Sequence, residues 1–268
     1  MIHFLPVSAT PKRNSRTRER FGDDAPNYIM MGRNRAIAAE SEVNRGLGLP
    51  DGDWFEIDSG RSIVASREHA GRRYYMNSPL VNYGEVSRWM DAAHRAGHAP
   101  EHTVVTPTVV ATSAIDGHVM DEEHFGLVEE ALRAVHREFL GTVRSVNDLL
   151  TDREVSGRRR AGDAPDEQET LASLLGAVGK LRNSPLPDDF VCHGDLVSGN
   201  VYIEHGRVVF IDPEPFAGHV YYDLAKLANS LGTDVRRGEE RDLLDTIKLL
   251  ERNSRALYRH QLSRQAQD

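Results

Sequence analysis

The sequence predicts an α+β protein with two lobes: a small β-rich N-terminal lobe, residues 1–78, and a larger, mainly helical C-terminal lobe, residues 79–268. Two short runs in the first lobe, residues 62–65 and 73–77, contain β-branched and aromatic residues typical of strands. In the second lobe, apolar residues recur at helical spacing. A chain of 268 residues, 39% of them hydrophobic, supplies enough apolar surface for two modest cores.

Local propensity predicts the elements of the N-terminal lobe. Residues 28–31, Tyr-Ile-Met-Met, are strand-like, whereas residues 35–43 have the alanine and glutamate content of a helix. Residues 62–65 and 73–77 follow as two strands of a sheet, separated by polar residues that include Gly71. We therefore expect one helix and several strands in this lobe.

Helices account for most of the predicted C-terminal lobe. One apolar stripe follows the acidic residues 121–123, and further helices are expected near residues 171–178, 221–231 and 240–259. The polar stretch 151–169 is expected to interrupt the helical pattern. The first two stripes consist of Val128, Leu132, Val135 and Phe139, and of Leu171, Leu174, Leu175 and Val178.

A β-hairpin is predicted between these helices. The runs 200–204 and 207–211 are β-rich, and the pair His205-Gly206 between them suits a two-residue turn. With that turn, antiparallel pairing places position 200 opposite position 211. Asn200 and Asp212 are therefore expected to converge at the open end of the hairpin.

The residues around this hairpin have the order of a phosphoryl-transfer site. Protein kinases carry a catalytic loop H-R-D-x-x-x-x-N with a metal-binding Asp downstream. His193, Asp195, Asn200 and Asp212 occur in this order with the same Asp-to-Asn spacing, and Gly194 replaces the Arg. The pattern predicts transfer of a phosphate from ATP or GTP, with His193 and Gly194 shaping the loop.

Each polar residue of the motif suits one chemical role. Mg²⁺ prefers hard oxygen ligands and takes only one or two from protein in such sites, so Asn200 and Asp212 are the predicted metal ligands. Asp195 precedes the first strand of the hairpin. Its carboxylate is predicted to orient the hydroxyl of a small-molecule acceptor and to take its proton.

These motifs resemble those of the aminoglycoside phosphotransferase and choline kinase superfamily. The resemblance rests on residues 193–200, Ile211-Asp212-Pro213-Glu214 and Tyr222-Asp223-Leu224-Ala225-Lys226, within about residues 185–232. Residues 211–223 are also similar to phosphotransferase-like proteins encoded with capsule and sugar pathways. The resemblance implies a bilobal protein-kinase-like fold and phosphorylation of an antibiotic, an amino alcohol or a sugar. It also implies the roles given above and a structural role for Asp223.

Asp223 is expected to lie in the first turn of a helix, because Tyr221, Leu224 and Ala228 recur at helical spacing around it. There it either braces the catalytic loop or only complements the positive end of the helix.

The residues that contact the nucleotide phosphates are less clearly marked. Kinases normally supply a Gly-rich hairpin and a strand Lys paired with a helix Glu. The N-terminal half has no G-x-G-x-x-G, and Lys12 is its one lysine. The phosphate contact is therefore assigned to Lys12, or to Arg33 or Arg35, and Glu40 is the preferred partner of that cation.

The nucleotide base is assigned to the end of the second predicted strand. In a kinase fold we expect that strand to lead to the hinge between the lobes, whose backbone groups meet the base. This order along the chain places Tyr75, Met76 and Asn77 near adenine.

Composition narrows the remaining classes of protein. The single cysteine, Cys192, excludes an intrachain disulfide framework, and its strand-like context predicts a buried apolar role. A net charge of −8 argues against general nucleic-acid binding. The opening residues are too short for a signal peptide and no apolar run could span a membrane, so a cytoplasmic protein is expected.

Two other functions compete with a small-molecule kinase. A pseudokinase-like binding protein without turnover would account for the missing lysine. A metallophosphoesterase would account for the segment Gly194-Asp195, but the sequence lacks the Asp-x-His pair and the Gly-Asn-His segment expected with it.

Overall fold

The computed structural model describes residues 2–3, 24–58, 62–183, 189–232 and 241–265. The chain divides into two compact units. The first comprises Met1–Val119, Arg133–Gly141 and Val201–Glu214, and the second comprises Met120–Leu132, Thr142–Asn200 and Pro215–Asp268.

Both strands and helices are present, as the predicted α+β class requires. The strands are β1 Ile2–His3, β2 Trp54–Asp58, β3 Ser62–His69, β4 Arg72–Pro79, β5 Thr103–Val105, β6 Val110–Ser113, β7 Gly117–Val119, β8 Phe190–Cys192, β9 Val201–Glu204, β10 Arg207–Phe210 and β11 Phe216–Gly218. The helices are α1 Ala25–Gly46, α2 Tyr83–Arg95, α3 Phe125–Glu138, α4 Val146–Arg160, α5 Pro165–Arg182, α6 Val220–Leu231 and α7 Arg241–Gln265.

The first unit contains a six-stranded sheet in the order β1-β2-β3-β4-β6-β5. Its pairs are antiparallel except for β1 with β2, which are parallel. After β4 the chain passes through α2 and returns to the same sheet as β5 and β6. The unit that contains this sheet therefore continues well beyond the boundary predicted at residue 78. A three-stranded sheet, β10-β9-β7, belongs to the same unit.

Helix α1 packs on one face of the six-stranded sheet. Ala36, Ala39 and Val43 of the helix share a buried cluster with Tyr74 and Met76 of β4. Because side chains alternate across a strand, Tyr75 and Asn77 lie on the other face, and both are only partly buried.

The strand predicted at residues 28–31 is instead part of helix α1. Pro26 lies in the first turn, where its fixed φ suits a helix. Ile29 is 2% exposed and packs with Ile63 and Leu80. Tertiary packing therefore overrides the weak β-propensity of this run.

Arg33 and Arg35 both attach helix α1 to its surroundings. Arg33 donates from two nitrogens to the two carboxylate oxygens of Glu56, each at 2.8 Å. Arg35 donates to the carbonyl oxygens of Pro79 and Leu80, and its guanidinium lies 4.4 Å from the ring centre of Tyr83. These contacts give both arginines a structural role, and their contact with the nucleotide phosphates stays a prediction. The pairing with Glu40 remains a prediction.

The predicted hairpin is present with the predicted register. Strands β9 and β10 pair antiparallel with Val201 opposite Phe210, which is the register that the prediction of position 200 opposite position 211 implies. The turn residues His205 and Gly206 have φ values of 51° and 78°. Positive φ at both positions is the geometry of a type I′ turn, which matches the twist of the two strands.

The second unit is mainly helical. Helix α4 begins at a capping box formed by Ser145 and Asp148, and three arginines occupy its last turn, where cations are favourable. The helix therefore runs through Arg160, and the predicted interruption of the helical pattern shrinks to residues 161–164 before α5. Among the described residues, no helix has the length and apolar character that crossing a membrane requires.

Replacing Arg33 with Ala is expected to destabilise the first unit. Glu56 has no exposed side-chain surface and Arg33 has 14%, so the variant leaves a buried carboxylate without its bidentate partner. We expect the free energy of unfolding to fall by about 3 kcal/mol in chemical denaturation. The exposed pair of Arg73 with Glu68 is the matched control, and Arg73→Ala should change the midpoint little. Equal effects of the two variants would contradict the structural role.

Candidate active site

The loop that carries the catalytic motif emerges from a buried strand of the second unit. Strand β8 pairs antiparallel with β11, with Cys192 opposite Phe216. Cys192 is fully buried, as predicted, and His193 after it is buried as well. The loop therefore starts from a fixed point in the core.

Asp223 holds the first turn of this loop. Its carboxylate accepts hydrogen bonds from the backbone N–H of His193 at 2.6 Å and of Gly194 at 2.8 Å. Asp223 is 1% exposed and lies in the first turn of α6. Of its two predicted roles, bracing the catalytic loop is confirmed.

Gly194 has a φ of 82°, a conformation that residues with a side chain rarely adopt. This backbone geometry accounts for a glycine where kinases have Arg. The imidazole Nδ1 of His193 accepts a hydrogen bond from the backbone N–H of Asp195 at 3.2 Å. Both residues therefore shape the loop, as the sequence predicted.

Lys226 and Asn200 both contact Asp195. The ammonium group of Lys226 lies 2.7 Å from its Oδ1 and donates to the Gly194 carbonyl at 2.9 Å. The side-chain amide of Asn200 donates to the Asp195 carbonyl at 2.8 Å and lies 3.4 Å from its Oδ2. The Asp195 side chain keeps 16% of its surface exposed, so a substrate group can still approach it.

Asn200 ends a short 3₁₀ turn that Ser198 begins. The backbone N–H of Ser198 donates to the hydroxyl of Ser230 in α6 at 2.8 Å. Because the amide nitrogen of Asn200 bonds within the loop, its oxygen is the atom that suits a metal ion. The structure therefore brings the predicted residues His193, Asp195 and Asn200 into one hydrogen-bonded loop.

Asp212 and Asn77 meet in the first unit. The amide nitrogen of Asn77 lies 3.3 Å from Oδ1 of Asp212. Asp212 has a φ of 55°, in the left-handed region that Asp tolerates better than most residues. Such backbone geometry is common at functional sites, where the surrounding structure maintains it.

The contact of residues 75–77 with the nucleotide base stays a prediction, and the structure shows how these residues are paired. Strand β4 lies inside the sheet, where Met76 pairs with Ala65 of β3 and with Ala111 of β6. The backbone of Met76 is thus committed to sheet pairing, and its side chain is 1% exposed. After β4 the chain passes through α2 and then forms two more strands of the same sheet, the last of which ends at Ser113.

Two lysines remain to be placed, one that the sequence predicts as a site residue and one that it does not. Lys12 lies outside the described residues. Lys226 was not identified as a site residue from the sequence, although its spacing from Asp223 puts both on one face of a helix. That spacing was the available signal.

Burial and nearby charges shift the pKa of two buried carboxyl groups in the second unit. Burial raises the pKa of Asp223 to about 6, against its hydrogen bonds from Gly194 and His193 and the charge of Lys226. Burial also raises the pKa of Glu251 in α7, but the charges of Arg153, Lys226 and Arg255 outweigh it, so that pKa lies below its ordinary value. Arg153 contacts Glu251 directly at 3.1 Å.

Comparison with known proteins identifies similar folds. Residues 85–257 match the sequence profile of the phosphotransferase enzyme family. No curated protein matches the chain. Choline kinase LicA from Streptococcus pneumoniae superposes with a TM-score of 0.57 at 13% identity, covering 88% of this chain and 93% of that one. A choline/ethanolamine kinase family protein from Mesorhizobium loti gives 0.52 at 18%, covering 81% and 76%. The likeness confirms the predicted kinase-like fold.

Replacing Asp223 with Asn is expected to lower stability in a pH-dependent way. The amide offers one acceptor and one donor to two N–H groups, so one N–H loses its partner, at a cost of roughly 1–3 kcal/mol. The pKa of Asp223 also rises from 3.8 to about 6 on folding. The stability that comes from proton binding by this carboxyl group is therefore fully present below pH 3.8 and is lost as pH rises through about 6.

Denaturant titrations between pH 4 and pH 7 test this sign. The difference in unfolding free energy between the wild type and Asp223→Asn should narrow as pH rises, because the other titrating groups are common to both proteins. Asp242→Asn, on the exposed surface of α7, should cost little. A difference that widens with pH would contradict the raised pKa.

Proposed function

The chain belongs to the phosphotransferase enzyme family, and from that membership we propose that it is a small-molecule kinase. It transfers the terminal phosphate of ATP or GTP to a hydroxyl group of its acceptor. The observation that carries the proposal is the placement of Asp195, whose carboxylate contacts Lys226 and Asn200 on a loop anchored by Asp223.

Asp195 acts as the base of the transfer. Its carboxylate accepts a hydrogen bond from the acceptor hydroxyl and takes the proton as the acceptor oxygen bonds to the terminal phosphorus. The bond from that phosphorus to its bridging oxygen breaks, and the electron pair leaves on the nucleoside diphosphate. The contacts to Lys226 and Asn200 limit the rotation of the carboxylate, which favours productive alignment.

Asn200 and Asp212 would hold Mg²⁺. Asn200 offers its amide oxygen because its amide nitrogen is used within the loop, and Asp212 offers a carboxylate. Two hard oxygen donors with the remaining positions left to water and phosphate fit the preference of this ion. When bound, Mg²⁺ would neutralise negative charge on the donor phosphates.

The acceptor is an amino alcohol, a sugar or an antibiotic carrying a hydroxyl group. The two structural neighbours described above are a choline kinase and a choline/ethanolamine kinase family protein, so choline and ethanolamine open the acceptor screen. Family membership argues against the metallophosphoesterase alternative.

A second candidate function is nucleotide binding without turnover. It is favoured by the contact of Asn77 with Asp212 and by the lack of lysine among the described residues of the first unit. The two functions differ in one observable, which is whether phosphate reaches an acceptor.

Asp195→Asn is expected to abolish transfer and leave nucleotide affinity nearly unchanged. The amide keeps the size of the side chain but cannot take the acceptor's proton, so kcat should fall by about 10²–10⁴-fold. Coupled assays of nucleoside diphosphate release measure the rate, and calorimetric titration measures the affinity. Unaltered turnover would reject the base role of Asp195, and absence of turnover in the wild type with every acceptor would favour the binding protein.

Asp212→Asn is expected to weaken nucleotide binding only when Mg²⁺ is present. The variant removes a negative charge from the proposed metal site, so the gain in affinity that Mg²⁺ gives should shrink. Calorimetric titrations with ATP and with GTP, each with and without Mg²⁺, measure this gain in both proteins. The same gain in the variant as in the wild type would reject Asp212 as a ligand.

A further inference from the structure

We propose that Lys226 is a further catalytic residue, whose ammonium group donates a hydrogen bond to the transferring phosphoryl group. The inference rests on the proposed kinase function and adds to it a phosphate-binding cation supplied by helix α6. It starts from the contact of Lys226 with the carboxylate of Asp195.

The surroundings of Lys226 fix its ammonium group beside the base. Its side chain is 10% exposed, and Nζ contacts both Oδ1 of Asp195 and the carbonyl oxygen of Gly194. Asp223, three residues earlier on the same helix, holds the backbone of the loop that presents this carbonyl. The ammonium group is therefore preorganised with respect to Asp195.

One donor of the ammonium group is left for a substrate. A lysine ammonium carries three N–H donors and no acceptor. Within the described part of the chain, two of them are used, by Asp195 and by Gly194. The third has no acceptor there, although most of the side chain is buried.

The reacting phosphorus falls within reach of that donor. An acceptor hydroxyl bonded to Asp195 lies about 2.7 Å from the carboxylate. When the hydroxyl bonds to Oδ1, from which Nζ lies 2.7 Å, the acceptor oxygen is at most about 5.4 Å from the ammonium nitrogen. The phosphoryl oxygens surround the phosphorus that this oxygen attacks, so one of them can meet the third donor.

A cation at this place also improves the charge balance, in addition to the proposed Mg²⁺. Asp195 and Asp223 belong to the same small cluster, and a phosphoryl group that carries negative charge would be repelled by two carboxylates alone. Arg33 and Arg35, the arginines predicted to bind phosphate, already contact Glu56 and backbone carbonyls. Glu251, the other carboxylate near Lys226, already has Arg153 as its ion-pair partner.

The test uses Lys226→Met and Lys226→Arg in the full chain, with Lys180→Met as the control. Lys180 is exposed on α5 of the same unit and lies outside the site. Turnover is measured with the acceptor found in the screen, or as hydrolysis of ATP by water. Removal of one preorganised donor is expected to lower kcat by about 10²–10³-fold in Lys226→Met, whereas Lys180→Met should keep the wild-type rate.

Binding of a phosphoryl analogue separates contact from support of the fold. Calorimetry compares ADP with Mg²⁺ alone and ADP with Mg²⁺ and aluminium fluoride, which mimics the transferring group. We expect fluoride to tighten ADP binding in the wild type and in Asp195→Asn, and this gain to be lost in Lys226→Met while ADP alone binds as before. Lys226→Arg keeps the charge and should recover part of the turnover.

Distinct results would overturn the inference and the proposed function. If Lys226→Met keeps the wild-type turnover, or if aluminium fluoride raises its affinity for ADP as much as in the wild type, the phosphoryl contact is rejected and the kinase function is not. The same holds if fluoride leaves ADP binding unchanged in a wild type that turns over. A wild type that binds neither ATP nor GTP rejects the proposed function itself.

Discussion

The paired hydrogen bonds from two consecutive backbone N–H groups to the carboxylate of Asp223 are the interaction on which the site of the second unit depends. Buried N–H groups must find an acceptor, and a strand that ends in a sharp turn cannot supply one from its own ladder. Asp223 satisfies both groups at once. The loop can then turn through a left-handed Gly194 and bring Asp195 to the same helix that anchors it.

Both units use buried ionic contacts between a helix and a neighbouring segment. In the first unit, Arg33 links α1 to Glu56 of the sheet, and in the second, Lys226 links α6 to Asp195 of the loop. Burying charge is costly unless the partners are well aligned and hydrogen-bonded. The same contacts can thus restrict the position of a reactive group, which is what catalysis by preorganised charge requires.

Local signals predicted much of the fold and part of the site. The hairpin was predicted to its register because a two-residue turn fixes the pairing of both strands, and the loop motif was recognised from its spacing. The second strand of the first lobe was predicted, but the partner of Asn77 was not, because Asp212 is 135 residues away. Likewise, the separation of Arg33 and Glu56 in the sequence does not indicate that these two side chains form an ion pair.

Two further differences have physical causes in competing signals. Residues 28–31 contain β-formers, but the helix start at Ala25, with Pro26 in its first turn, and the burial of Ile29 decide their conformation. The sequence does not mark Lys226 as a site residue, because a lysine beside a hydrophobic run is usually a surface residue, and its burial becomes clear only when its helix is placed against the loop.

Asp223, which anchors the loop, and Lys226, which contacts Asp195, lie on one turn of α6. The number of residues between them therefore matters as much as their identity. Asp223 and Lys226 are three residues apart, and the helix advances about 100° per residue. Inserting or deleting a single residue between them would rotate one side chain away from the loop, although every residue of the motif would still be present. A chain with such a change would keep the recognisable sequence and lose the geometry.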